Sequence, residues 1–282
     1  MVVIAKAPAS CGELIQGNIF GKEMLVSCPV NLYSKVEISF KKEKVKTKLP
    51  PKVTKAVRLY LKSISEHKIM PYLNIRISSE IPISKGMASS TADMTAAVKG
   101  VAHLLGNQIS EREIANILTL VEPTDSTVFQ NLTLFDHLKG QYVKSLGEVP
   151  RFCVLVLEEP KTVDTIDFHK RRSINRPAIT KEYKTLVKGV KHNRVDLIGS
   201  AAVASAICNQ IILNKPYLDQ IVNLVFKCGG GGLNIAHSGT VCGVIYDDSF
   251  DAEKFICLLN ERQNPFINIY KLKTVIGGAK IE

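Results

Sequence analysis

Ile81-Pro-Ile-Ser-Lys-Gly-Met-Ala-Ser-Ser-Thr-Ala-Asp93 constrains this chain more than any other stretch, because it joins a strand pattern to a helix pattern through residues with almost no bulk. Before it, Leu73-Asn-Ile-Arg-Ile77 alternates apolar and polar residues, as a strand with one buried face does. After it, Met94, Ala97, Val98, Val101, Leu104 and Leu105 repeat at the spacing of one buried helical face. Gly86, Ala88, Ser89, Ser90 and Thr91 leave the main chain open to a ligand. A helix N-terminus carries unpaired N–H groups and a partial positive charge, so such a loop suits phosphate. Its hydroxyls can cap the helix or complete a magnesium shell. The local pattern alone favours the plainer outcome, an ordinary capped helix.

The loop is not a Walker A motif. Gly17-Asn-Ile-Phe-Gly21-Lys22-Glu23 has one residue too few between its glycines and no Ser or Thr after the lysine. Instead, Pro82-x-x-x-Gly86-Met-Ala88-Ser89-Ser90-Thr-Ala resembles the Pro-x-x-x-Gly-Leu-Gly-Ser-Ser-Ala-Ala signature of the GHMP kinases. Further blocks sharpen the likeness. Ala7-Pro-Ala-Ser-Cys-Gly-Glu-Leu-Ile-Gln-Gly17, Glu122-Pro-Thr-Asp-Ser-Thr-Val-Phe129, Leu132-Thr-Leu-Phe-Asp-His137 and Gly232-Leu-Asn-Ile-Ala-His-Ser-Gly239 follow in order with the Lys85–Asp93 loop. Together they resemble the L-threonine kinase family of cobalamin biosynthesis over most of the chain.

That resemblance implies a two-lobed α+β fold, with a ribosomal-protein-S5-like N-terminal lobe over residues 1–150 and a ferredoxin-like C-terminal lobe over 151–282. It implies ATP and Mg²⁺ as cofactors and a small amino-acid alcohol, L-threonine, as acceptor. Pro82, Lys85, Gly86, Met87, Ala88, Ser89, Ser90 and Thr91 then cradle the nucleotide, and Ser90 and Glu122 hold magnesium. Asp125 orients or deprotonates the acceptor hydroxyl, so Ser90, Glu122 and Asp125 form the catalytic set. Ser10, Glu13, Gln16, His237, Ser238 and Gly239 border the acceptor, and Glu13 could pair with a substrate ammonium group.

The residues also permit plainer roles. Glu122 and Asp125, on either side of Pro123-Thr124, could cap turn backbone. Glu13 could be an exposed polar residue after a turn, and His237 a hydrogen-bonded structural histidine. Ala88, where the wider signature has glycine, is expected to stay out of the left-handed region. Ser10 stands where several GHMP kinases carry Lys or Arg, with Lys6 or Lys85 as possible replacements for that charge. Gly229–Gly231 read as a flexible hinge, and Asp136-His137 has no assigned mechanical role. Two other functions stay open: a kinase for another small alcohol such as homoserine, and a catalytically silent nucleotide-binding sensor.

Composition excludes other classes. The 282 residues contain 37 Lys and Arg against 26 Asp and Glu, a net charge of +11. The densest basic run, Lys41-Lys-Glu-Lys-Val-Lys-Thr-Lys48, reads as a solvated strand edge, and neither it nor Lys170-Arg-Arg172 is interleaved with aromatics for base stacking. Nucleic-acid binding is therefore not expected. The seven scattered cysteines form no Cys-x-x-Cys pair and read as reduced, mostly buried thiols. With no apolar run of membrane-spanning length and no signal pattern at the N-terminus, a cytoplasmic protein is expected.

Spacing predicts strands over 2–5, 24–40, 73–79, 151–157 and 267–275, with two more bracketing His237–Gly239. It predicts helices over 51–67, 91–105, 178–190, 195–213, 216–227 and 250–261. Another follows at 110–121, where Ser110 and Glu113 form a capping box. The polar stretch Asp164–Arg176 reads as a loop or linker.

Overall fold

Two long strands, β1 (Val2–Ile19) and β2 (Lys22–Phe40), form the hairpin to which the rest of the sheet is joined. The structure is a computed structural model that describes residues 1–45, 48–161, 177–262 and 264–282. Phe20 and Gly21 close the hairpin, both with positive φ (52° and 79°), the backbone a tight two-residue turn requires. Pairing slips between Pro8 and Ala9, between Ser10 and Glu13, and between Glu13 and Ile15. These irregularities accommodate Pro8, which has no N–H for a ladder, and Gly12 at φ 57°. They explain why β1 runs on to Ile19 although Ala7–Gly17 shows no strand-like alternation and the expected strand ends at residue 5.

The outer part of β2 pairs with β3 (Leu73–Ser79), whose limits match the sequence expectation, and Leu25 near its start pairs with Phe135 of β4 (Leu132–Phe135). β4 pairs in turn with β5 (Val143–Gly147). On the other side β1 meets β7 (Gly232–Ile235) at Glu13 and Ile235, and β7 continues into β8 (Val241–Tyr246). β6 (Cys153–Glu158) lies between β8 and β9 (Asn268–Lys273), while β10 (Lys280–Ile281) pairs with the start of β1. All of these strands belong to one antiparallel sheet ordered β5-β4-β2-β1-β7-β8-β6-β9, with β3 and β10 as side branches. Neither β4 nor β5 was predicted.

Helices α1 (Pro51–Ser63), α2 (Ser89–Leu104) and α3 (Glu111–Thr119) come from the first half. α4 (Thr180–Lys191), α5 (Val195–Asn209), α6 (Leu218–Lys227) and α7 (Ala252–Asn260) come from the second. The predicted capping box forms at α3, where Ser110 and Glu113 each satisfy the other's backbone N–H. Alternation along β6 separates two cores. Val154 and Val156 face the larger one with Met94, Val98 and Ile198; Leu155 and Leu157 face a smaller one with Ile221, Leu224 and Phe255. A strand buried on both faces reads as an unbroken apolar run, which is what Cys153–Leu157 shows.

The glycine run before β7 is a tight crossing and not the expected hinge. Gly230 N–H donates to Val225 O at 2.8 Å and Gly231 N–H to Ile245 O at 2.9 Å. A Cβ on Gly199 of α5 would stand 2.2 Å from Gly231 O, so the helix touches the strand backbone directly. The basic run after β2 has left the strand by Lys41, and its described lysines are exposed in a loop. Asp164–Arg176, with Lys170-Arg-Arg172, lies outside the described residues. Gly199→Ala is expected to lose about 1–3 kcal/mol through overpacking, read as a fall of several degrees in Tm; an unchanged Tm would show that the crossing can relax at no cost.

Candidate functional site

α2 begins without a side-chain cap. Its N-cap is Ala88, at φ 58° and ψ 28°, and no side chain bonds back to the first turn. Two expectations are corrected here. Ala88 occupies the left-handed region it was expected to avoid, which costs a Cβ-bearing residue on the order of 1 kcal/mol. The serines do not cap the helix either: Ser90 Oγ instead donates to Glu122 Oε1 at 2.5 Å. The first turn also holds no acidic residue. Its N–H groups therefore keep their capacity for an anion, and a cavity of about 230 Å³ opens at this terminus.

Gly86, Met87, Ala88, Ser89, Ser90 and Thr91 form one wall of that cavity. The loop is held from behind by the turn after β7. Lys85 O accepts from Thr240 N–H at 3.0 Å and Val241 N–H at 3.2 Å. A Cβ on Gly86, whose φ is 82°, would sit 2.4 Å from Ala236 Cβ, and one on Gly239 would sit 2.4 Å from Lys85 O. Both glycines are dictated by contact. Gly239 thus supports the loop from outside the cavity lining, and Ser238 beside it reaches the lining.

Glu122 and Asp125 form the opposite wall. Glu122 follows α3, its N–H still bonded to Leu118 O, and Pro123 prevents the helix from continuing. Its Oε2 receives Lys52 Nζ at 2.5 Å, so Ser90 and Lys52 divide its two oxygens. Lys52 was missed in the sequence, where a lysine after Pro50-Pro51 is indistinguishable from any exposed helix-start cation. Asp125 Oδ2 accepts from Thr91 Oγ1 at 3.2 Å, and Oδ1 accepts from Ser27 Oγ at 3.3 Å. Ser27 is also stapled to Ser126, each N–H donating to the other's hydroxyl. Burial pushes the Asp125 carboxyl up to about 7; the charges of Glu13 and, less strongly, Glu122 push the same way, while the two hydroxyls oppose them. Neither Glu122 nor Asp125 caps turn backbone.

The third wall comes from the irregular part of β1. Glu13 is buried, not an exposed turn residue, and its Oε2 accepts from His237 N at 2.8 Å and lies 3.1 Å from His237 Nδ1. The His237 ring continues to Ser205 Oγ through Nε2 at 3.3 Å, and Ser205 Oγ accepts the Gln16 N–H at 3.0 Å. A consistent set of donors runs from Gln16 through Ser205 and His237 to Glu13. His237 therefore acts on the cavity through Glu13. Gln16 lines the cavity beside His137, their Nε2 atoms 3.4 Å apart. Asp136 shapes the turn beyond His137 by accepting from Leu138 and Lys139 N–H, a positioning role for the previously unassigned pair.

Besides Gly239 and His237, three more of the expected residues lie outside the lining. Ser10 is fully buried and spends its hydroxyl on main chain, donating to Gly12 O at 2.5 Å and accepting from Cys28 N–H at 3.0 Å. Pro82 is half-buried at the start of the loop. Lys85 turns its ammonium away, toward Glu158 Oε1 at 3.2 Å and the carbonyls of Glu159 and Lys161. Lys6 is paired with Glu282 and lies over the Tyr33 ring. Neither lysine supplies charge to the cavity.

Among the described residues no cluster of three or more His, Cys, Asp or Glu could hold a metal ion by itself. Ser90 and Glu122 offer one hydroxyl and one carboxylate, the partial oxygen set that suits magnesium when phosphates and water complete its shell. Among the described residues no helix is long and apolar enough to cross a membrane. Cys11, Cys28, Cys228 and Cys242 are buried free thiols, while Cys257 is exposed.

Comparison with known proteins agrees with this geometry. The sequence model "GHMP kinases N terminal domain" matches residues 51–130, and "GHMP kinases C terminal" matches 186–263. L-threonine kinase of Citrobacter freundii is 36% identical over 289 residues, covering 100% of both chains. L-threonine kinase of Salmonella typhimurium is 37% identical over 296 residues, covering 100% of this chain and 96% of its own. Among solved structures, homoserine kinase from Cytophaga hutchinsonii superposes with a TM-score of 0.71 at 16% identity, covering 100% of this chain and 97% of that one. Mevalonate kinase from Methanococcus jannaschii gives 0.68 at 16% identity, covering 98% of each. At such identities these structures speak for the fold alone.

The raised carboxyl of Asp125 has a consequence for stability. The folded state holds its proton up to about pH 7, whereas an unfolded Asp loses it near 4. Folding is therefore progressively disfavoured as pH rises between those values. Asp125→Asn is expected to gain about 2–3 kcal/mol on the wild type between pH 5 and pH 8. Thermal melts of both proteins across that range check it, and a constant difference would mean that Asp125 titrates normally.

Proposed function

This chain belongs to the GHMP kinase family, and we propose that it phosphorylates the side-chain hydroxyl of L-threonine with ATP to give O-phospho-L-threonine. The observation that carries this proposal is the convergence of Ser90 and Glu122 at the uncapped start of α2, with Asp125 tied to the same turn through Thr91. The full-length likeness to two L-threonine kinases supports the choice of acceptor. Destination of the product in the aminopropanol arm of cobalamin synthesis, and a cytoplasmic setting, are part of the same proposal. So is a division near residue 150, with the family matches at 51–130 and 186–263 on either side.

Phosphoryl transfer is governed by positioning and charge. The open N–H groups of 86–91 receive the ATP phosphates. Ser90 and Glu122 would hold magnesium, which neutralises charge on the phosphates when bound. Glu13, fixed by two bonds on Oε2, offers its other oxygen to the substrate ammonium group. Asp125, titrating near neutrality, is matched to accepting the hydroxyl proton. Gln16, His137 and Ser238 complete the acceptor side of the cavity.

The first test measures ADP release from ATP·Mg²⁺ with L-threonine, L-serine, L-homoserine or no acceptor, with mass detection of the product. Threonine-selective release with phosphothreonine is expected; selectivity for another alcohol would retain the kinase and replace its substrate, and binding without turnover would favour the silent sensor. Ser90→Ala and Glu122→Gln are expected to lose turnover while keeping the fold, and near-normal rates in both would remove the magnesium assignment. Asp125→Asn is expected to lower kcat by about 10²–10⁴-fold, with wild-type kcat/KM rising with pH to a plateau above about 7. A loss under about tenfold would leave Asp125 a positioning role.

A further inference from the structure

Glu13, Glu122 and Asp125 place three carboxylates around a cavity whose nucleotide would bring more negative charge. Phosphoryl transfer requires positive charge at the transferred group. Among the described residues lining the cavity, Lys52 is the single lysine or arginine. It stands in the first turn of α1, which contains no acidic residue to hold it back, and its side chain keeps 49% of its surface exposed. Its ammonium reaches Glu122 Oε2 while Oε1 of the same carboxylate takes the Ser90 hydroxyl, so it already stands beside the two groups assigned to the metal. Lys85 and Lys6 are committed elsewhere, by Glu158 and by Glu282.

We propose that Lys52 is the phosphate-binding cation of this site, released from Glu122 to contact the terminal phosphate of ATP and to stabilise the charge that develops during transfer. A long side chain from a helix start can move between a carboxylate and a phosphate by rotamer change without shifting the backbone. The pair with Glu122 keeps the ammonium at the cavity mouth before nucleotide arrives. Because an exposed ion pair contributes little to stability, the geometry of the fold does not depend on it. The inference rests on the kinase reading of the same cavity.

Lys52→Ala and Lys52→Arg separate a phosphate contact from a structural pair. For Lys52→Ala, kcat is expected to fall about 30–300-fold, the range for removing one preorganised charge contact. KM for L-threonine should stay within about threefold and Tm within about 2 °C, with Lys52→Arg recovering most of the rate. Binding provides a second readout: affinity for a non-hydrolysable ATP analogue should fall at least about tenfold more than affinity for ADP, since only the former carries the terminal phosphate. A kcat within threefold of wild type, or equal losses for the two nucleotides, would overturn the proposal. Wild-type protein that binds both nucleotides but phosphorylates no alcohol would overturn the kinase reading instead, while the two affinities would still decide whether Lys52 contacts the terminal phosphate.

Discussion

The site depends on a backbone-to-backbone contact between two segments far apart in sequence. Lys85 O takes two N–H groups from the turn after β7, and Gly86 and Gly239 lie against that turn and the loop with no room for a Cβ on either. This seam fixes the height of the loop that opens α2, and it brings Ser238 and His237 to the loop's far side. Glu13 and residues 122–125 supply the other walls of the cavity that this loop lines. Lys85 serves the same seam with its side chain, tying the loop to the end of β6 through Glu158.

Around the seam the molecule tolerates unfavourable local choices. Ala88 is held left-handed, the start of α2 lacks a cap, and Asp125 is buried near two other carboxylates. Each costs stability, and each leaves something useful: open N–H groups, a hydroxyl free to face Glu122, and a carboxyl that titrates near neutrality. Local rules broken together in one cavity, amid a core that obeys them, are characteristic of a working site. The apolar alternation of β6 and the capping box of α3 show how regular the rest is.

Much of the fold was legible. β3 was read to the residue, and every described α-helix was anticipated with shifts confined to its ends, while the short 3-10 turns His67–Tyr72 and Ser126–Val128 were not. The cavity does gather Glu13, Gln16, Ser90, Glu122, Asp125 and Ser238. The failures share a cause. β1 beyond residue 5 was hidden because bulges replace alternation with Pro8 and Gly12, and β4 and β5 were too short to show a period. The glycine run was mistaken for a hinge because close packing by another helix leaves the same letters as flexibility.

Periodicity, the Pro82–Thr91 loop and the ordered blocks determined by themselves that a strand feeds a helix through a ligand-accessible turn, and which carboxylates accompany it. These are local properties, set by spacing and by side-chain size. Tertiary structure alone decided where each charge points. Ser10 turned inward to main chain, Lys85 turned away from the cavity to Glu158, and Lys52 turned into it toward Glu122. Glu13 became a buried acceptor because the irregular part of β1 set it opposite Ile235, where its carboxylate meets the N–H of His237. A side chain's direction depends on register shifts and crossings made by partners distant in the chain, and no spacing within a single segment encodes them.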